Sequence, residues 1–235
     1  MPAYCAETKP SINKIRNLVI ACATVIEEML PLLPPDVEHR ILDFGLHTNP
    51  SKLRQSLQDA IDASKDQFET VILGYGLCSQ GVIGLKATGC KLVVPRVDDC
   101  IAIFLGSCSA YRQQSRFEPG TYYLTKGWIE VGDSPFSEYD RMVVNRGQKY
   151  ADRVIRLMLN NYKRLALINT GQYALEHYRN YAQHNAQRFG LRYEEIEGST
   201  TLVKKMLNGP WDNEFIVVEP GNCIRFEDFY PNQQL

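Results

Sequence analysis

Residues 70–124 read TVILGYGLCSQGVIGLKATGCKLVVPRVDDCIAIFLGSCSAYRQQSRFEPGTYYL, and this stretch decides the fold class. Val71 to Leu73 and Leu92 to Val94 are short apolar runs rich in β-branched residues, closed at once by Gly74 and Pro95. That is the pattern of strands buried on both faces. Each run then delivers a cysteine, Cys78 within Gly74-Tyr75-Gly76-Leu77-Cys78 and Cys100 within Pro95-Arg96-Val97-Asp98-Asp99-Cys100. The arrangement recurs upstream, where Leu18 to Ala21 leads to Cys22 and a helical pattern begins. Parallel strands of an open α/β sheet share a carboxyl edge, and ligands bind in the crevice there. The positions therefore predict that Cys22, Cys78 and Cys100 converge on one edge.

Working outward, Ala23 to Leu33 reads as a helix stopped by Pro34-Pro35, and Arg40 to Leu46 as a strand ending at His47. Asn49-Pro50-Ser51 opens a helix over Lys52 to Ser64, with Leu53, Leu57 and Ile61 on one face and Asn49 or Ser51 as cap. Downstream, a helix starts near Cys100 with Asp98 or Asp99 as cap, and Tyr122 to Leu124 is a strand. Tyr139 to Leu159 is a long helical pattern, weak at Gly147, expected to join two lobes. Strands over Arg164 to Asn169, Arg192 to Ile196 and Phe215 to Val218 alternate with helices over Gln172 to Phe189 and Ser199 to Leu207. Such alternation predicts an α/β protein: parallel sheets flanked by helices, with strand-helix units in two Rossmann-like halves. The expected division is an arm over 1–16, an N-terminal lobe over 17–137, a helix and C-terminal lobe over 138–226, and a tail over 227–235.

A chain of 235 residues with 44% hydrophobic composition can bury a substantial core. The formal net charge of −1 leaves no electrostatic footprint for nucleic acid or an anionic membrane, so neither is expected as a partner. Its apolar runs fall far short of the roughly 20 residues that span a bilayer. Residues 1–16 carry no apolar signal core, which gives a cytoplasmic expectation. Seven cysteines, an odd number, in a reducing compartment do not suggest a disulfide framework. Buried structural thiols, a metal or cluster site, and a catalytic thiolate are the readings left open.

Thiols just past strands lie close to helix starts, whose partial positive charge favours the thiolate and metal ligation. Three thiolates with one open position suit a 4Fe-4S cluster or, as the alternative, zinc. The absence of a Cys-x-x-Cys pair argues against a zinc ribbon or a ferredoxin-like cluster. His47 would point into the crevice as acid, base or ligand, or simply bond to a turn. Tyr75 would stand beside the open position, and Arg96 would receive an anionic substrate. Gly74, Gly76 and Gly81 lack phosphate-loop spacing but would let backbone approach a cofactor. Cys90 reads as structural, Cys108 as a spare thiol, and Cys223, after a strand, as a candidate fourth ligand. Glu27 and Glu28 read as acids favouring a helix dipole. Thr170-Gly171 and Gly198 to Thr201 could bind an anion at a helix start or act as caps.

Five ordered motifs carry a resemblance: Ile20-Ala21-Cys22 with Glu28 in its helix, Leu46-His47-x-x-Pro50, Gly74-Tyr75-Gly76-x-Cys78, Pro95-Arg96-x-x-Asp99-Cys100, and Glu118 to Thr125. Over roughly Leu18 to Gly198 the chain resembles the bacterial and archaeal family called domain of unknown function 1638. Members often carry histidine where this chain has Asp98, so no role of that histidine carries over. The resemblance implies an anaerobic setting and an association with corrinoid-dependent methyl transfer, with a corrinoid protein or methyltransferase as partner. The expected function is then a three-cysteine metalloprotein, an iron-sulfur or zinc-dependent lyase, reductase or methyltransferase acting on a small anionic or thiol substrate. Alternatives are an accessory protein that binds a corrinoid or methyltransferase partner without chemistry, and a metal-free thiol enzyme.

Overall fold

The computed structural model describes residues 17–77, 80–132 and 134–231, so Cys5, Cys78, the expected arm and the final residues lie outside the described residues. The chain is a mixed α/β protein whose strands form two sheets, ordered β2-β1-β3-β4-β8 and β5-β6-β7. In the first, β1 (Asn17–Cys22), β2 (Val37–Leu42), β3 (Thr70–Gly74) and β4 (Lys91–Pro95) are parallel, and β8 (Phe215–Val218) closes the edge antiparallel to β4. The three central strands are buried almost throughout, as their unbroken apolar runs require.

Local chemistry explains where elements depart from their expected bounds. Helix α1 (Ala23–Met29) gives way to a tight turn over Leu30–Leu32, because Pro31 has no N–H to continue the helix. The second strand ends at Leu42, and Phe44–Thr48 winds into a 3-10 turn whose second N–H, from Gly45, is taken by Asp43 Oδ1 at 2.8 Å. Helix α2 (Pro50–Asp62) begins at Asn49, whose Oδ1 accepts the Lys52 N–H at 3.1 Å. Its Leu53, Leu57 and Ile61 are buried, each worth about 1.5–3 kcal/mol of apolar transfer. Asn49→Ala is expected to cost about 1 kcal/mol, read as a melting temperature lower by about 2–4 °C with an unchanged circular dichroism spectrum.

After β4 the chain forms α3 (Cys100–Leu105) and α4 (Cys108–Phe117), then enters the second sheet through β5 (Thr121–Leu124). That sheet is all parallel, with β6 (Arg164–Asn169) central and β7 (Arg192–Glu197) beyond it. Between β5 and β6 lie α5 (Lys126–Glu130), α6 (Pro135–Arg146) and α7 (Gln148–Met158). The single helix expected over Tyr139–Leu159 is thus two. Gly147, at φ 80° and ψ 159°, ends one and opens the other, and the two pack on each other as a hairpin inside the second lobe instead of bridging lobes. Helix α8 (Glu176–Phe189) follows β6, and α9 (Thr201–Asn208) follows β7.

Side-chain alternation along β6 ties the halves together. Leu165 and Leu167 enter a core with Phe136, Tyr139, Ala182 and Ala186 from α6 and α8. Ala166 and Ile168, on the opposite face, join Phe104, Ile196 and Leu202 in the core of the first sheet. The sheets therefore do not divide at 137/138: β5 belongs with β6, and the chain returns at its end to add β8 to the first sheet. Nor is the stretch past Phe226 a loose tail. Phe229 is buried at 5% exposure, and the Tyr230 hydroxyl donates to Asp98 Oδ1 at 2.8 Å. Among the described residues, no helix is long and apolar enough to cross a membrane.

Candidate functional site

In the order β2-β1-β3-β4 the chain leaves β1 towards one side of the sheet and β3 towards the other. Loops that diverge this way open a crevice at the carboxyl edge, between β1 and β3. Cys22 is the last residue of β1 and the position before α1, with extended backbone at φ −74° and ψ 161°. It is 1% exposed, and its Sγ shares a hydrogen bond of 3.0 Å with Thr24 Oγ1. Burial pushes the Cys22 thiol up, with the Thr24 hydroxyl acting against it.

Ala21 pairs with Gly74, so Cys22 and Tyr75 are each the next residue past that pair. The Tyr75 ring lies 5.7 Å from the His47 ring, which lies 5.4 Å from Phe44. The 3-10 turn after β2 thus presses His47 towards the loop after β3. Among the described residues His47 Nε2 is buried without a hydrogen-bond partner, and burial holds the imidazole below its ordinary range. The ring is neutral at physiological pH.

The loop after β3 in turn meets the loop after β4. Leu77 N–H donates to Val97 O at 2.8 Å, and a Cβ on Gly76 would lie 2.7 Å from Val97 O and 3.0 Å from Asp99 N. Asp99 Oδ1 accepts the Ile101 N–H at 2.9 Å, which caps α3 and fixes Cys100 as its first residue, 8% exposed. Burial raises the Asp99 carboxyl above its usual range, opposed by the Tyr111 hydroxyl. The loops that carry Cys22, Tyr75 and Cys100 therefore touch in series along one edge. Cys78 lies outside the described residues. Among the described residues no three Cys, His, Asp or Glu side chains already stand in metal-holding geometry, and no disulfide joins the cysteines.

Gly74 and Gly76 are packed against protein. A Cβ on Gly74 would meet Ala21 Cβ at 2.5 Å, and Gly81 is buried after Gln80, which has φ 66°. Arg96 turns to β8, donating from Nη2 to Phe215 O at 3.2 Å, and lines a groove of about 550 Å³ along that strand. Cys223 lines the same groove and pairs through its backbone with Lys86. As a fourth ligand it is misplaced: β8 is antiparallel and ends beside Leu92 at the start of β4, so a residue past β8 departs from the opposite edge. Cys90 is buried just before β4, as expected.

The second lobe roofs the crevice. Gly127 at the start of α5 sits so close to α1 that a Cβ there would lie 2.7 Å from Thr24 O. Trp128 makes edge contacts with Phe44 at 6.2 Å and Phe104 at 5.8 Å. Lys126 Nζ pairs with Glu27 at 2.8 Å, and Thr170 Oγ1, just after β6, donates to Glu28 Oε2 at 2.6 Å. Glu27 and Glu28 thus stand near the end of α1, facing the second lobe, where no favourable dipole acts on an acid. Thr170 is engaged with Glu28, and Ser199 Oγ accepts the Thr201 N–H at 3.2 Å at the start of α9, the capping alternative. Trp128 and Tyr173 carried no local signal in sequence, and the signal at Thr170 pointed elsewhere, since their roles arise from contacts between lobes.

A family model described as Protein of unknown function (DUF1638) matches residues 41–207, which takes in His47, Tyr75, Cys78 and Cys100 and begins after Cys22. No curated protein and no solved structure matches the chain. With most of its length covered, from the second strand to the last helix of the crevice-bearing body, the chain belongs to this family of unknown function.

Proposed function

We propose that the chain is a metalloprotein in which Cys22, Cys78 and Cys100 hold an iron-sulfur cluster, with zinc as the second choice, and that His47 and Tyr75 face the open coordination position. The carrying observation is the strand order. It opens the crevice between β1 and β3, with Cys22 at one lip and Cys100 past β4, on the far side of β3 along the same edge. The donor set fits such a group: two buried thiols at helix starts, and a neutral imidazole whose Nε2 is buried without a partner among the described residues. A group held by three thiolates would supply a Lewis-acidic metal with one free position.

The chain's own residues supply the surroundings. Burial keeps His47 neutral, so its nitrogen can ligate or accept a proton without first losing one. The rings of Tyr75, Phe44, Trp128 and Phe104 run in contact from His47, an apolar setting that disfavours water there. A metal-free thiol enzyme is the weaker reading, because a reactive thiol needs a depressed pKa and burial pushes Cys22 the other way.

The test is anaerobic purification of the wild type and of Cys22→Ala, Cys78→Ala and Cys100→Ala. The wild type is expected to be brown, with iron and sulfide, and each variant to lose nearly all of both. Cys90→Ala and Cys223→Ala should keep them. Retention of metal in Cys22→Ala or Cys100→Ala overturns the assignment.

A further inference from the structure

Glu28 lies between the lobes and has no part in the chemistry above. It is 2% exposed; its Oε2 accepts the Thr170 hydroxyl, and its Oε1 is buried without a hydrogen-bond partner among the described residues. The Tyr173 hydroxyl beside it, carried by the loop after β6, accepts from Lys126 N–H of α5 at 3.1 Å and donates to Ile168 O of β6 at 3.3 Å. The charges facing it are already committed. On α1, Glu27 pairs with Lys126 of α5 at 2.8 Å. Lys126 also lies 3.9 Å from Glu130, which accepts the Tyr178 hydroxyl from α8. Glu28 is thus a carboxyl surrounded by hydroxyls, with its nearest cation shared between two other carboxylates.

We infer that Glu28 is a proton-operated clasp: as the neutral acid it holds α5 and the loop Asn169–Tyr173 against α1, and on ionising it loosens this seam and lifts Trp128 from the crevice. A buried carboxylate without a cation is costly, whereas the acid needs only neutral partners. Burial raises the Glu28 carboxyl above its usual range, with the Thr170 and Tyr173 hydroxyls and Lys126 opposing. A carboxyl whose folded pKa is raised contributes stability that is complete below its unfolded value and is lost as pH rises through the folded value. The seam is therefore tight in acid and loosens towards alkaline pH. Apolar contacts of Ala166 and Ile168 with the first lobe confine the opening to the seam, leaving the lobes joined. The clasp governs access to the crevice whether or not metal is held there.

The test is hydrogen exchange of the full chain across pH, corrected for intrinsic rates, for the wild type, Glu28→Gln and Thr170→Val. In the wild type the opening of segments covering α5 and 169–173 should rise by up to about tenfold per pH unit between the ordinary carboxyl value and the raised folded one, and level off above it. In Glu28→Gln the same segments should stay protected with no pH dependence. Thr170→Val, which removes the hydroxyl donor, should open them further at every pH. Acrylamide quenching of Trp128 in a Trp211→Phe background should follow the same profile. A wild-type profile flat in pH, or a Glu28→Gln profile that matches the wild type, overturns the inference.

Discussion

Gly127→Val is expected to lower stability by about 3 kcal/mol, or about 6–12 °C in melting temperature for a chain of this size. The cause is a close approach between lobes. A Cβ at residue 127 would stand 2.7 Å from Thr24 O and 2.8 Å from Thr24 Cα, both backbone atoms of α1 that cannot rotate aside. The only relief is for α5 to lift, which parts Trp128 from Phe44 and Phe104 and lengthens the Lys126–Glu27 pair. The loss should come with increased Trp128 quenching, and Gly127→Ala should show both effects to a smaller degree. An unchanged melting temperature would mean that α5 is not seated on α1.

Gly74→Ala is expected to cost about 2–3 kcal/mol, measured by denaturant unfolding of the metal-free protein. Its new methyl would lie 2.5 Å from Ala21 Cβ in β1 and 3.1 Å from Val25 Cγ1 in α1, both fully buried. Adding Ala21→Gly should recover much of the loss, because the two positions compete for one volume. If Gly74 served chiefly to let a cofactor approach, the single variant would instead fold with full stability and fail only in binding. These outcomes separate the two roles that the glycine-rich loop allows.

How much of this was legible in the sequence depends on whether a feature is local. The runs Leu18–Ala21, Val71–Leu73 and Leu92–Val94 announce buried parallel strands because both faces are covered and no polar alternation is needed. Asp99 and Asn49 announce helix starts because a side-chain oxygen beside an N–H run has one common use. That Cys22 and Cys100 follow parallel strands of one sheet could also be read, and the strand order places β3 between those two strands. The direction of β8 could not: Phe215–Val218 is equally apolar in either sense, and only its pairing with β4 shows that Cys223 leaves from the far edge. Glu28 looked like an ordinary helix acid because its partner, Thr170, is distant in sequence. Gly147 was visible as a weak point, but the fold of α6 back on α7 depends on tertiary packing.

The claim on which the rest depends is that thiolates at the carboxyl edge bind a metal. X-ray absorption at the iron and zinc edges, on wild-type protein purified anaerobically, measures this most directly. The expected spectrum has a first shell dominated by sulfur, at about 2.3 Å for thiolates on zinc and at a similar distance for an iron-sulfur cluster. Iron with sulfide supports the cluster, and zinc without sulfide supports the second choice. A folded protein that holds neither metal after anaerobic reconstitution, or a metal ligated by oxygen and nitrogen alone, would contradict the claim.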